Sequence, residues 1–150
     1  MTEITPATDL AALVGQSIGT SDWFEIDQAR IDAFAALTGD EQWLHVDRER
    51  AAAGPYGTTV AHGYLLLALL PMLAATAVTI SGFDSVVNYG LDRVRFPAPA
   101  LSGSRFRDHM TLDAADRTNT GILLKVTHSI ELEGRDRPVC VAEQLRLLRP

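Results

Sequence analysis

Between Tyr64 and Ile80 the chain carries no charged residue, reading YLLLALLPMLAATAVTI. A membrane-spanning helix needs about 20 such residues. This run is shorter, holds Pro71 near its middle and lacks the basic flank that sets orientation in a bilayer. The remaining solution is a helix that is apolar all round because protein surrounds it. Pro71 then marks a kink, or a break between two helical pieces. The rest of the chain has to wrap this segment.

With 150 residues there is enough chain for one domain with a real core, and two domains would each be marginal. One domain over residues 1–150 is therefore expected. Apolar residues at 47% and charged residues at 21% exclude a disordered tail, a fibre and a coiled coil. A net charge of -6 argues against a nucleic-acid-binding surface. The single cysteine, Cys140, excludes a disulfide framework and a cysteine-rich zinc site. The first residues, Met1-Thr2-Glu3-Ile4-Thr5-Pro6, have neither a basic nor an apolar leader region. A cytoplasmic protein without membrane insertion is the expectation.

Residues 1–16 read as a weak, helical lead-in, and Ser17 to Glu25 as a first strand. Asp27 is an N-cap candidate, with Ile26 and Ile31 placed as a hydrophobic staple. The helical stripe Ile31, Phe34, Ala35, Leu37 runs to Thr38, and Gly39 ends it. Asp47 caps a second short turn, and Gly54-Pro55-Tyr56-Gly57 is a loop. The apolar helix starts near His62-Gly63. Beyond it the period changes to two. Ile122, Leu124, Val126, His128, Ile130 and Leu132 alternate with wetter residues, and Phe106 to Leu112 and Val139 to Leu147 do likewise. Val86 to Phe96 is a fourth strand, closed by Pro97. Asp116 to Asn119 and Gly134 to Asp136 read as hairpin loops. The pattern is α+β: one curved antiparallel sheet wrapped around a long central apolar helix, the hot-dog fold. An open sheet edge of this kind pairs with a second copy, so a homodimer is expected.

The chemistry-bearing stretch is Ala35-Ala36-Leu37-Thr38-Gly39-Asp40-Glu41-Gln42-Trp43-Leu44-His45-Val46-Asp47. It resembles the signature of the MaoC-like dehydratases, the group of (R)-specific enoyl-CoA hydratases: Thr-Gly-Asp, then His five residues after the Asp. Gln42-Trp43, followed by Ala-Ala-Ala-Gly-Pro-Tyr-Gly-Thr-Thr-Val-Ala-His-Gly, resembles the NodN-like branch. Asn88-Tyr89-Gly90-Leu91-Asp92-Arg93-Val94-Arg95-Phe96-Pro97-Ala98-Pro99 is a third matching block. The resemblance implies hydration of a trans-2-enoyl-CoA, with Asp40 and His45 activating a water and Gly63 offering its N–H to the thioester oxygen. Physically the reaction needs those parts. Water is a poor nucleophile and needs a base in contact with it. The thioester oxygen gathers charge and needs a fixed donor, which a first-turn helix N–H supplies.

Other readings of the same residues stay open. Asp40 also serves as a turn residue, and His45 as a structural hydrogen-bonder beside Asp47. His62 caps the helix, packs or takes part in catalysis. No rigid ligand spacing supports a metal at Asp40, His45, Asp47 and His62, so none is expected. His109 and His128 fill ordinary surface or core positions. Gln42 and Trp43 replace the Asn-Pro of the best-known pattern; Gln42 keeps amide hydrogen bonding for substrate, and Trp43 cannot fix the chain as proline does. Asn88 either points into the pocket or satisfies a buried backbone group. Arg93 and Arg95 share a strand face, to meet the phosphates of coenzyme A or to lie on a solvated or intersubunit face. The Gly54-to-Thr59 loop is expected at the site entrance. No redox cofactor is implied, since the CoA arm belongs to the substrate. The competing functions are an acyl-CoA thioesterase on the same fold and a non-catalytic acyl-CoA-binding subunit.

Overall fold

A computed structural model describes residues 1–150. The elements, in order, are β1 (Thr2–Ile4), α1 (Leu10–Leu13), β2 (Ser17–Thr20), β3 (Phe24–Ile26), α2 (Gln28–Thr38), α3 (Trp43–Val46), α4 (Arg48–Ala52), α5 (Gly63–Ala74), β4 (Val78–Ile80), β5 (Ser85–Arg95), β6 (Ser104–Thr118), β7 (Gly121–Leu132) and β8 (Cys140–Arg149). β2, β6, β7, β8 and β5 follow one another across an antiparallel sheet, and β3 continues the β2 edge against β6. The strand alternation read from the sequence sets the faces. Phe106, Met110, Leu112, Leu124, Val126, Ile130 and Leu148 all turn to the inner face and are buried.

α5 is the apolar helix, and it lies against that inner face. Leu65, Leu66, Leu70 and Leu73 go into the core. Each buried leucine contributes about 1.5–3 kcal/mol. The uncharged run is nevertheless not one long helix. It ends at Ala74, and Val78-Thr79-Ile80 becomes β4, because β-branched residues lose χ1 freedom in a helix and fit a strand. Pro71 sits in the last turn on the exposed side and does not break the helix, whose end is tied by the Ala75 N–H to the Pro71 carbonyl. Nor is the helix buried on every side. Tyr64, Ala68, Pro71 and Met72 form an exposed stripe beside the edge strand β5.

Two further expectations are corrected. The lead-in is not helical apart from the one turn of α1: Thr2–Ile4 pairs in parallel with β4, and Ile4 is fully buried. The expected strand from Ser17 to Glu25 is two strands. Ser21 interrupts them by turning inward, where its hydroxyl accepts the Asp108 N–H at 2.8 Å. The helix punctuation held. Asp27 caps α2 through the Arg30 N–H at 3.0 Å, Asp47 caps α4 through the Arg50 N–H at 3.0 Å, and Gly39 ends α2 at φ 76°. No helix is long and apolar enough to cross a membrane.

The core has two apolar clusters, one around Phe106, Ile130 and Leu66, the other around Met110, Leu112 and Leu124. A diagonal of polar side chains separates them on the same inner face. Asp108 on β6, His128 on β7 and Gln144 on β8 are 0%, 1% and 7% exposed. The alternation places His128 in the buried series as expected, but in this polar chain and not in simple packing. His109 lies on the outer face, paired with Glu131 at 2.7 Å.

Candidate active site

The bend between α2 and α3 is built by main-chain needs. Gly39, in the left-handed region, turns the chain out of α2 and leaves Asp40 exposed just beyond the helix. His45 follows on α3. Its Nδ1–H donates to the Val60 carbonyl at 2.7 Å, while the Val60 N–H donates to the Leu44 carbonyl at 3.0 Å. This reciprocal tie fixes the imidazole and its tautomer. Nδ1 carries the hydrogen and Nε2 keeps a lone pair. Gln28 clamps the bend from behind. Its amide donates to the His45 carbonyl and to Asp32, both at 2.7 Å, and accepts from the Thr59 hydroxyl.

His62, the residue before α5, joins the pair. It does not cap the helix with its side chain. It is 2% exposed, and its ring stacks on His45 with centroids 3.7 Å apart and planes at 25°. Phe34 packs on it at 5.0 Å. Its Nε2–H donates to the Asp40 carbonyl at 2.9 Å, so Nδ1 bears a lone pair, buried and without a partner. The structure thus brings Asp40, His45 and His62 together, with one carboxylate oxygen and two ring nitrogens all within 4.8 Å of one another. A metal would ask the two imidazoles to aim at one point. Rings stacked face to face set their nitrogens side by side instead, a poor fit to tetrahedral geometry. The arrangement suits a water held between a carboxylate and an imidazole lone pair.

Gly63 opens α5 immediately after this stack; the Leu65 N–H bonds back to the His62 carbonyl at 3.1 Å, and the Gly63 and Tyr64 N–H groups are the open donors of that turn. A Cβ built at Gly63 would lie 2.7 Å from the Phe96 ring, so the glycine allows a close approach that no other residue does. Beside it lies an open cavity of about 300 Å³, walled by Gly63, Leu44, Val60, Leu66, Tyr56 and the Phe96–Ala100 segment. It reaches the two residues that hold His45, although Asp40 and His45 are not part of its wall. Phe96 itself is 42% exposed, so its ring can swing aside at little cost in packing.

The other sequence candidates scatter. Gln42 stands exposed at the start of α3, its carbonyl accepting the His45 N–H at 2.9 Å. Trp43 packs under Gly54, with the Arg50 guanidinium 4.3 Å from its ring centre, and thereby joins α3 to α4. Asn88 is not beside Asp40 and His45. It lines a separate cavity between α5 and β5, where its carbonyl oxygen faces the Gln144 amide at 3.5 Å. Arg93 and Arg95 pair with Glu143 and Val141 of β8, which puts both on the outer face, exposed and without ion-pair partners. Of the Gly54-to-Thr59 loop, Tyr56 reaches the Gly63 cavity and Thr59 is buried against Gln28. Gln28 escaped the sequence reading because a polar residue opening a helix looks like any solvated first-turn residue. Cys140 is chemically quiet: burial first, then the Asp108 charge, push its thiol up to about 12.

The chain is similar to known proteins over most of its length. Residues 9–132 match the family described as MaoC like domain. The chain is 49% identical over 138 residues to 3-hydroxyacyl-thioester dehydratase Z of Mycobacterium tuberculosis, with 91% of each chain covered. It is 37% identical over 149 residues to nodulation protein N of Rhizobium leguminosarum bv. viciae, covering 94% of this chain and 89% of that one. The solved (R)-hydratase from A. caviae involved in PHA biosynthesis superposes with a TM-score of 0.74 over 96% of this chain and 99% of that one. At 23% identity, that likeness speaks for the hot-dog fold alone. The family match covers most of the chain and includes Asp40, His45 and Gly63, so this chain belongs to the MaoC-like domain family.

Proposed function

We propose that this chain is a hydro-lyase that reversibly adds water to trans-2-enoyl-CoA, giving (R)-3-hydroxyacyl-CoA. One observation carries the reading: an Asp40 carboxylate oxygen and a ring nitrogen of His45 lie within 4.8 Å of each other at the bend, next to the open N–H groups at the start of the helix that Gly63 begins. The name of the mycobacterial relative supports a 3-hydroxyacyl thioester, and the (R) configuration follows the resemblance of the Thr38-to-His45 block to the (R)-specific hydratases.

The steps balance without a redox partner or a metal. The water oxygen bonds to Cβ as Asp40 and His45 take its proton. The Cα–Cβ π pair moves toward the thioester, whose oxygen gathers negative charge at the Gly63 N–H. Cα then receives a proton from the same pair. Dehydration runs these steps backwards. Gln42 hydrogen-bonds the bound substrate from the mouth of the bend. Arg93 and Arg95 are exposed cations on the strand that leads into Phe96, free to meet the CoA phosphates. The edge strand β5 exposes Val86, Tyr89 and Leu91 beside the outer stripe of α5, and a second copy covers this face in a homodimer. Light scattering should read twice the chain mass.

The deciding assay follows crotonyl-CoA by loss of enoyl absorbance and, in parallel, free thiol with a colour reagent. Hydration removes absorbance and frees no thiol. Thiol release would identify a thioesterase, and binding without either signal a silent acyl-CoA binder. Cys140 does not confuse the thiol reading, because its sulfur is buried and protonated.

Two variants probe the flanks. Gly63→Ala sets a methyl group against Phe96 and over the donor N–H. Turnover is expected to fall about 100-fold, the order of losing one oxyanion donor. Melting should shift little, because the exposed Phe96 ring can yield. Arg95→Glu should raise KM for CoA thioesters several-fold, by repelling phosphate, with kcat held; an unchanged KM removes Arg95 from the CoA site.

A further inference from the structure

His62 stands where packing alone would not put an imidazole. It is 2% exposed, between the Phe34 ring of α2 and the His45 ring of α3, and its Nδ1 is buried without a hydrogen-bond partner. A buried polar atom left unpaired lowers stability, and a phenylalanine ring would fill the same slot without that loss. Helix capping does not explain the residue either, since its side chain makes no cap bond. Nor does proton exchange with solvent. Its Nε2–H is engaged by the Asp40 carbonyl, and its Nδ1 is shut off from water.

What the ring does have is a place on a strap that touches each working part of the site. Residues 60–63 form this strap. The Val60 carbonyl accepts from His45 Nδ1 at 2.7 Å, and the Val60 N–H donates to the Leu44 carbonyl at 3.0 Å. The Ala61 N–H donates to the Ala100 carbonyl at 2.7 Å, which anchors the strap to a wall of the Gly63 cavity. The His62 Nε2–H donates to the Asp40 carbonyl at 2.9 Å, and the ring lies on His45 with centroids 3.7 Å apart. Gly63 comes next, with its open N–H. Asp40 itself is exposed beyond the end of α2, and the His62 bond ties its main chain to the strap.

The reaction makes this arrangement matter. An enoyl thioester is planar and conjugated, so covalent bonds fix the distance from its carbonyl oxygen to Cβ. The pair that delivers water to Cβ must therefore keep a set separation from the N–H that meets the oxygen. A misplacement of about 1 Å can cost 10²-fold in rate.

We infer that His62 is a positioning residue: through its N–H on the Asp40 carbonyl and its ring on His45, it sets the separation between the water-activating pair and the Gly63 N–H. This rests on the hydration reading above and adds the group that fixes its geometry.

Three substitutions separate the two contacts. His62→Phe keeps a ring against His45 and drops the N–H to Asp40. His62→Gln keeps an N–H for the Asp40 carbonyl and drops the ring. His62→Ala drops both. On crotonyl-CoA, the alanine variant should lose about 100-fold in kcat, and the phenylalanine and glutamine variants about tenfold each. KM should stay within about twofold of wild type, because an interaction felt only in the transition state lowers kcat and kcat/KM together. His62→Phe removes the unpaired nitrogen, so its melting temperature should not fall while its kcat does. In proton NMR, the His45 ring signals should keep their ring-current shift in His62→Phe and lose it in His62→Gln. In the Asp40→Asn background, His62→Phe should lower the remaining rate by less than about twofold, since a group that acts through Asp40 then has little left to place.

Wild-type kcat in both His62→Phe and His62→Gln, or the full single-variant loss repeated in the Asp40→Asn background, overturns this inference alone. A loss of kcat matched by a fall in melting in both variants makes His62 a folding residue and overturns it too. If the alanine variant does not fold, the other two carry the test. No hydration of crotonyl-CoA by wild type, or wild-type turnover in Asp40→Asn, overturns the underlying reading and this one with it.

Discussion

Asp40→Asn and His45→Gln are each expected to lower hydration of crotonyl-CoA by about 10²–10⁴-fold, the range of a positioned acid or base. The two losses should not multiply. Both groups act on one water and its two protons, and residues that work as a unit lose nearly everything with the first deletion. The double variant should therefore sit close to the worse single one. The fold should survive in both. Asp40 is exposed, and its contact with the protein runs through its main-chain carbonyl, which accepts from His62 and is kept in Asn. Glutamine at position 45 retains an N–H to offer the Val60 carbonyl. Circular dichroism and melting should thus overlay wild type while turnover collapses. Rates unchanged in both variants would remove the dyad from the mechanism.

How much of this was legible depends on the distance over which each feature is decided. The caps at Asp27, Asp47 and Gly39 are local, so residue type and spacing showed them. The strand alternation gave the inner and outer faces, because a pleat fixes them two residues at a time. The end of the apolar helix was not legible, since hydrophobicity is the same on both sides of Ala74. Only the β-branched residues after it, and a partner strand from the far N-terminus, make Val78–Ile80 extended. At the site, the Asp40-to-His45 bend carried a local signature. The stack of His62 on His45 did not, because it depends on how Val60 and α5 return to the bend. Arg93 and Arg95 illustrate the same limit. Their alternation told that they share a face, and only the pairing with β8 told which one. The polar diagonal left a trace that could have been read. Asp108 and His128 each occupy an inward position of an otherwise apolar series, where a polar group must find a partner.

That diagonal is also where the largest loss of stability is expected. Asp108→Ala deletes a carboxylate that is 0% exposed and leaves His128 facing an empty site, with Gln144 as its one remaining partner. Breaking a buried pair from one side costs about 3–5 kcal/mol, because the surviving group stays dehydrated and unmatched. For a chain of this size that corresponds to a fall in melting temperature of roughly 10 °C. His128→Ala strands Asp108 in turn, whose second oxygen already lacks a partner, and should cost a similar amount. The distinguishing result is the pair. Asp108→Leu with His128→Leu removes both polar groups and joins the two apolar clusters that the diagonal now separates. Its loss should be smaller than the sum of the singles by about 0.5–3 kcal/mol, the usual coupling of directly contacting residues. Additive losses would mean that the two side chains do not act as a pair. A stabilised double variant would mean that the polar diagonal is not kept for folding stability.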